Sequence, residues 1–264
     1  MATIHGAYEV RLWNSAAPNT APVILAEHLI DLPLTAIQFS PNGTLLVAGG
    51  AAPNINMLTL EFPLYVWDIG QPAAKPRRLK GPDSDVTGVA FSPDGHWLAA
   101  ATTLRKVYVW NMRQADAPPV VLVRSEGEYG GSIAFSSDNH TLAAASRYLG
   151  DPRGSSDDKV FLWDVRQPAV APKTIDTPQC HIRALAIDLN KSTVAVGCYE
   201  GTIELWDLSR TTVLPVVLHS GQSAVQAVAF SPDGYWLATG TSSGVLQVRN
   251  LQLPGATPAA VNVP

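Results

Sequence analysis

Val107-Tyr108-Val109-Trp110-Asn111 is a short apolar run closed by Trp and Asn, and it does not stand alone. The pattern returns as Val10-Arg11-Leu12-Trp13-Asn14, Leu64-Tyr65-Val66-Trp67-Asp68, Val160-Phe161-Leu162-Trp163-Asp164 and Ile203-Glu204-Leu205-Trp206-Asp207. A worn sixth copy, Leu246-Gln247-Val248-Arg249-Asn250, has Arg where the others have Trp. Successive anchors, Trp13, Trp67, Trp110, Trp163, Trp206 and Arg249, lie 54, 43, 53, 43 and 43 residues apart. A period in the forties marks a repeat array, so the whole chain has to be read in that frame before any local motif.

A second motif keeps step with the first. Val89-Ala90-Phe91-Ser92-Pro93-Asp94-Gly95 matches Val228-Ala229-Phe230-Ser231-Pro232-Asp233-Gly234. Looser copies occur at Ile37 to Gly43 and Ile133 to Asn139, and the weakest at Leu185 to Asn190. Each is a strand run entering a tight turn, in which Pro presets φ and Gly or Asn accepts φ > 0 at the end. Small apolar segments follow: Leu45 to Ala48, Leu98 to Ala101, Leu142 to Ala145, Val194 to Gly197 and Leu237 to Gly240. They suit a strand buried on both faces. Between repeats stand Pro22-Val23-Ile24-Leu25, Pro119-Val120-Val121-Leu122 and Pro215-Val216-Val217-Leu218. Proline opening a strand belongs at a sheet edge, because it cannot donate to a ladder.

Four strands per period, one of them at an outer edge, describe the blade of a β-propeller, whose sheets cannot bury their faces alone. The Trp-Asp ends, the Phe-Ser-Pro-Asp-Gly turns and the period together resemble the WD-repeat (WD40) family over nearly the whole chain. That resemblance implies a propeller that serves as a platform for partners. Two features depart from it. Gly81-Pro82 and Ser220-Gly221 stand where the family often has Gly-His, and the Asp usual six residues before the Trp is matched only by Asp157. The family's buried His–Asp network is therefore expected to be mostly absent. The connectors Gln71-Pro72-Ala73-Ala74 and Gln167 to Pro172 also look like those of large bacterial signalling proteins.

The expected fold is thus all-β, a β-propeller of four-stranded antiparallel blades in a single domain over 1–264. A partial blade covers 1–14. Full repeats cover about 22–68, 75–111, 118–164, 172–207 and 213–250, and an outer strand covers about 257–263. That last strand is expected to pair with the Trp13 strand, giving five full blades and one incomplete composite blade without its innermost strand. The missing strand reads either as the mark of a fragment of a longer propeller or as a true six-bladed chain with one worn blade.

Composition narrows the function. Charged residues are 15 % and the net charge is −4, with no long run of either sign, so a broad nucleic-acid-binding surface is disfavoured. No signal peptide opens the chain and no stretch reaches the roughly 18 apolar residues of a membrane helix, which points to a cytoplasmic protein that does not bind membranes. Cys180 and Cys198 form no CxxC pair, and neither a disulfide framework nor a zinc site is expected. His5, His28, His96, His140, His181 and His219 are scattered and read as surface or turn residues rather than metal ligands. Asn42, Asn139 and Asn190 fit the glycosylation pattern but coincide with turns. Trp97 and Trp236 are expected to pack in the core or between blades.

Two insertions mark the candidate site. From the turn to the anchor the spacing is 15 positions (Gly95 to Trp110, Gly234 to Arg249), but it is 24 from Gly43 to Trp67 and from Asn139 to Trp163. Both excursions fall between second and third strands, on one face of the expected disc, with one blade between them. The candidate partner-binding residues are Asn54, Met57, Leu58 and Phe62 in the first, and Arg147, Tyr148 and Arg153 in the second. Arg and Tyr are enriched at interface hot spots, and loops on a rigid scaffold commonly carry binding. The other reading is two tolerated excursions. Lys75-Pro76-Arg77-Arg78-Leu79-Lys80, the one basic cluster, reads as an outer strand whose charges discourage edge pairing, or as a contact for a phosphate or an acidic partner.

There is no GxSxG, no P-loop, no Gly-rich dinucleotide fingerprint and no placed Cys–His arrangement. The chain therefore reads as a non-catalytic scaffold or sensor module for a protein or peptide partner, needing no cofactor, within a larger signalling protein. An enzyme working near the propeller axis and a purely structural spacer are the alternatives.

Overall fold

The computed structural model describes residues 1–5, 9–17, 19–26, 33–51, 62, 64–114, 116–123, 130–146, 158–188, 192–209, 214–253 and 259–261. The chain divides into two compact units, Met1–Val123 and Arg124–Pro264. The first unit holds β1 (Ala2–His5), β2 (Glu9–Leu12), β3 (Val23–Ala26), β4 (Leu34–Phe39), β5 (Leu45–Gly50), β6 (Leu64–Asp68), β7 (Arg77–Leu79), β8 (Val86–Phe91), β9 (Trp97–Thr102), β10 (Lys106–Asn111) and β11 (Val120–Val123). The second holds β12 (Gly130–Phe135), β13 (Thr141–Ser146), β14 (Lys159–Asp164), β15 (Lys173–Asp176), β16 (Ile182–Ile187), β17 (Thr193–Cys198), β18 (Thr202–Asp207), β19 (Val216–His219), β20 (Val225–Phe230), β21 (Trp236–Thr241), β22 (Leu246–Asn250) and β23 (Ala259–Val261).

These strands form six antiparallel sheets of propeller-blade type, three in each unit. Five are four-stranded meanders in chain order and the first, β1-β2-β3, has three strands. Each sheet takes its outer strand from the opening of the next sequence repeat: β7 pairs with β6, β11 with β10 and β19 with β18. The same rule corrects the expected composite blade. β23 pairs with β22 (Leu246↔Val261), and the outer neighbour of the Trp13 strand is β3 (Leu12↔Val23). A short connection brings each following segment back along the strand just completed, and closing such a loop costs less than recruiting a distant segment.

The turn chemistry follows the sequence closely. Ser92 Oγ donates to Asp94 Oδ1 at 2.6 Å and accepts from the Trp97 amide at 2.9 Å, while Asp94 Oδ1 also accepts from the His96 amide at 3.0 Å. Ser231, Asp233 and Trp236 repeat this arrangement, with Tyr235 donating to Asp233. Ser40 and Asn42 do the same ahead of Leu45. Gly95 has φ of 71° and Asn139 has φ of 65°, the left-handed conformation that the turn end requires. The anchor acid or amide has a parallel task. Asn14, Asp68, Asn111, Asp164, Asp207 and Asn250 each accept, through Oδ1, from the amide two residues on. Asp and Asn interchange at this position because both present that oxygen.

Alternation divides the central strands β5, β6, β17 and β18 between two cores. In the first unit, Leu46 and Ala48 of β5 and Tyr65 and Trp67 of β6 join Val10, Leu25 and Leu34. Val47, Leu64 and Val66 face the other way and join Val86, Leu98, Tyr108 and Trp110. In the second unit, Val194, Val196 and Cys198 of β17 face Ala143, Ala145 and Val160, whereas Ala195 and Ile203 face Val225 and Leu237. Trp67 and Trp110 are 1 % and 2 % exposed. Aromatic neighbours two residues back lie on the same face, with ring centroids 6.0 Å apart for Tyr65–Trp67 and 6.1 Å for Tyr108–Trp110.

Trp236 departs from expectation. It is 43 % exposed, on the opposite face of β21 from Leu237, which packs with Val225 and Ile203. Trp97 is partly buried. Trp110→Ala removes a side chain enclosed on all sides and is expected to cost about 3–5 kcal/mol, read from urea denaturation. A loss below about 1 kcal/mol would mean that the anchor does not hold its sheets together.

Candidate functional site

The two insertions fall where the repeat spacing places them. Residues 51–63 join β5 to β6 and residues 147–158 join β13 to β14, against 103–105, 199–201 and 242–245 at the same step of other sheets. Asn54, Met57, Leu58, Arg147, Tyr148 and Arg153 lie outside the described residues. Phe62 is described and is 6 % exposed, so its side chain is held in the interior and has no open face to offer a partner.

At the end of the second insertion stands Asp158, 2 % exposed. Its Oδ2 accepts from the Ile182 amide at 2.7 Å, and its carbonyl accepts from the Thr177 hydroxyl at 2.7 Å. A buried carboxylate thus ties one sheet to the first strand of the next. Position 157, picked out by spacing to Trp163, lies outside the described residues, and its neighbour carries this bond.

Each unit also holds a cavity at its sheet edges. In the first unit a cavity of about 440 Å³ is floored by Leu79 and Trp110 and walled by Arg77, Lys80, Pro118 and Pro119. The Lys75–Lys80 cluster is therefore an outer strand, as one of its two readings had it, and that strand lines a concavity. Arg78 stacks over the Tyr65 ring, 5.6 Å from its centroid. In the second unit a cavity of about 430 Å³ lies against Trp163 and Asp164, with Asp138, Gln167 and Lys173 in its walls. Its carboxylates are committed to their own turns. The Arg166 guanidinium donates to Asp164 Oδ2 at 2.7 Å and pulls that carboxyl down to about 2. Burial pushes Asp138 upward, but hydrogen bonds from Thr141 and His140 outweigh it and leave the carboxyl lowered.

The sulfurs correct the sequence reading. Cys180 and Cys198 form a disulfide, with Cα atoms 5.0 Å apart and both residues fully buried. Strand register explains what spacing did not reveal: Ile182 pairs with Cys198, which carries the chain two residues earlier to the same place. Disulfides persist in oxidising compartments, a chemistry in tension with the expected cytoplasmic setting. Glu204 lies beside the pair, its carboxylate and the two sulfurs within 4.8 Å of one another, but sulfurs bonded to each other offer no thiolate to a metal. Burial raises the Glu204 carboxyl above its ordinary 4.5, opposed by a hydrogen bond from the Trp206 indole at 3.0 Å. Of the described histidines, His181 is mostly buried and pairs with Glu200, and the others sit in turns or at the surface. His96 lies 2.7 Å from Asp94, His140 lies 3.0 Å from Asp138, and His5 and His219 are exposed.

Three stretches of the chain, 74–111, 172–207 and 214–250, match the family described as WD domain, G-beta repeat. The chain is 28 % identical over 101 residues to Protein Atg16l2 of Homo sapiens, covering 38 % of this chain and 14 % of that protein. It is 26 % identical over 149 residues to the Protein LST8 homolog of Drosophila pseudoobscura pseudoobscura, covering 53 % of this chain and 42 % of that protein. The chain thus spans less than half the length of these relatives. Among the described residues no helix is long and apolar enough to cross a membrane.

Two outcomes are expected at the disulfide and its neighbour. Reduction should lower stability by about 3 kcal/mol, the loop-closure value for a separation of 18 residues, with Cys198→Ser insensitive to reductant. Urea midpoints that do not move with reductant would show the bridge contributes nothing. The raised Glu204 carboxyl keeps its proton in the folded chain at pH values where the unfolded chain has lost it. Its contribution is therefore present below 4.5 and is lost as pH rises through the raised value. Glu204→Gln should lose less stability than the unsubstituted chain between pH 4 and pH 8.

Proposed function

We propose that this WD-repeat chain is a non-catalytic interaction module that holds a protein or peptide partner. The observation that carries the reading is the repeated rigid sheet with two long connections at the same step, β5 to β6 and β13 to β14. Rigid sheets fix the position of a connection without contributing to its chemistry, so the connections are free to vary and to bind. The second insertion carries Arg147, Tyr148 and Arg153, side chains that fill and desolvate partner pockets well. The first carries Asn54, Met57 and Leu58, an amphipathic set for a loop.

The finer part of the proposal is the setting, a larger cytoplasmic signalling protein of bacterial type. It rests on the proline- and alanine-rich connectors, and the buried disulfide weighs against it.

Tyr148→Ala with Arg153→Ala is expected to reduce partner capture from a lysate of the native host, with stability within about 0.5 kcal/mol of the unsubstituted chain. Capture that persists undiminished would move the contact away from the second insertion. Turnover of a small-molecule substrate by the purified chain would overturn the non-catalytic reading.

A further inference from the structure

We propose that the cavity beside β7 is a docking site for an acidic, extended segment of a protein partner. The proposal rests on the interaction-module reading above and names the chemistry of one partner contact. Among the described strands, β7 is the last of its sheet and pairs on one side, with β6. Alternation places Arg77 on the same face as Leu79, whose side chain is buried, so the Arg77 side chain rises over the cavity floor that Leu79 and Trp110 provide. Lys80 stands at the end of the strand, so two cations, Arg77 and Lys80, border a concavity whose one carboxylate among the described lining residues is Asp116, while Arg78 lies on the other face of the strand against the Tyr65 ring.

The opposite wall is stiff. Pro118 and Pro119 have restricted backbones, and the chain at Gly81, with φ of 148°, runs so close that a Cβ there would lie 2.7 Å from Pro119 Cγ. The cavity is therefore in place before a partner arrives, which lowers the entropic cost of binding. Its volume of about 440 Å³ accommodates a few side chains rather than a whole domain.

Charge complementarity selects the occupant. The chain as a whole carries −4, so an acidic segment is weakly repelled by most of the surface and drawn to this cluster. The charges that keep two copies of β7 from pairing edge to edge are the ones that attract a strand of opposite sign. An extended segment adding to the open edge satisfies backbone groups and directs alternate carboxylates toward Arg77 and Lys80.

The probe is a fluorescein-labelled ten-residue peptide alternating Glu with Thr and Val, followed by fluorescence anisotropy in low salt. Saturable binding is expected, weakened about tenfold or more by Arg77→Glu with Lys80→Glu and unaffected by Lys173→Glu in the second unit. Arg77→Lys with Lys80→Arg should retain binding, and thermal melts confirm that all variants fold. No saturable binding by the unsubstituted chain, or equal weakening by Lys173→Glu, overturns the proposal. So does equally tight binding of a single-stranded oligonucleotide, which would make the cluster a general anion contact. Tyr148 and Arg153 are untouched, so peptide binding that fails while partner capture persists sinks this inference and leaves the interaction-module reading standing.

Discussion

Neighbouring sheets within each unit approach closely along parts of their second strands, and small residues stand at those places. Ala99, Ala100 and Ala101 of β9 and Ala143, Ala144 and Ala145 of β13 are all 0 % exposed. Where β5 meets β8, a Cβ at Gly49 would lie 2.5 Å from Val86 Cγ1, and where β17 meets β20, one at Gly197 would lie 2.7 Å from Val225 Cγ1. Larger residues at these positions would push the sheets apart and open cavities under the anchors Trp67 and Trp110. At interior packing density such gaps are costly. The second strand thus carries small residues at these close approaches, and the aromatic side chains Tyr65, Trp67, Tyr108 and Trp110 stand on the third strand.

The repeated motifs follow from that packing and from backbone bookkeeping. Once the sheets are pressed together, the hairpin tips have to satisfy their own amides. The Ser hydroxyl and the Asp or Asn oxygen of each turn do so locally. The residue after each anchor Trp does the same at the exit of the third strand. The motifs that identify the chain are therefore structural devices, and function has to be sought where they are interrupted.

Three interruptions stand out: the long connections after β5 and β13, the cationic outer strand β7, and the Cys180–Cys198 bridge beside Glu204. The third is internal, fastening the approach to β16 to the end of β17 in a sheet that Asp158 also joins to its predecessor. The middle sheet of the second unit is thus held by a covalent bond and a buried charge-assisted hydrogen bond as well as by apolar contacts.

Spacing and residue type alone determined the period, the all-β class, the order of strands, the turn conformations and the place of both insertions. All of these depend on interactions within a few residues, or on an alternation that each strand carries in itself. The insertion residues named from the sequence were legible as positions but not as contacts, and Phe62 shows the gap: an apolar residue in a loop-like stretch lies in the interior. What depends on register or on neighbours was decided by the tertiary structure. The pairing of β23 with β22 rather than with the Trp13 strand was decided by loop closure. The disulfide required Ile182 to stand opposite Cys198, and the carboxylate of Asp158 accepts from the Ile182 amide of the neighbouring sheet. The exposure of Trp236 was decided by which face of β21 is covered, the one that carries Leu237. Local periodicity encodes an element and the faces it offers, whereas the choice of partner for each face is a property of the assembled sheets.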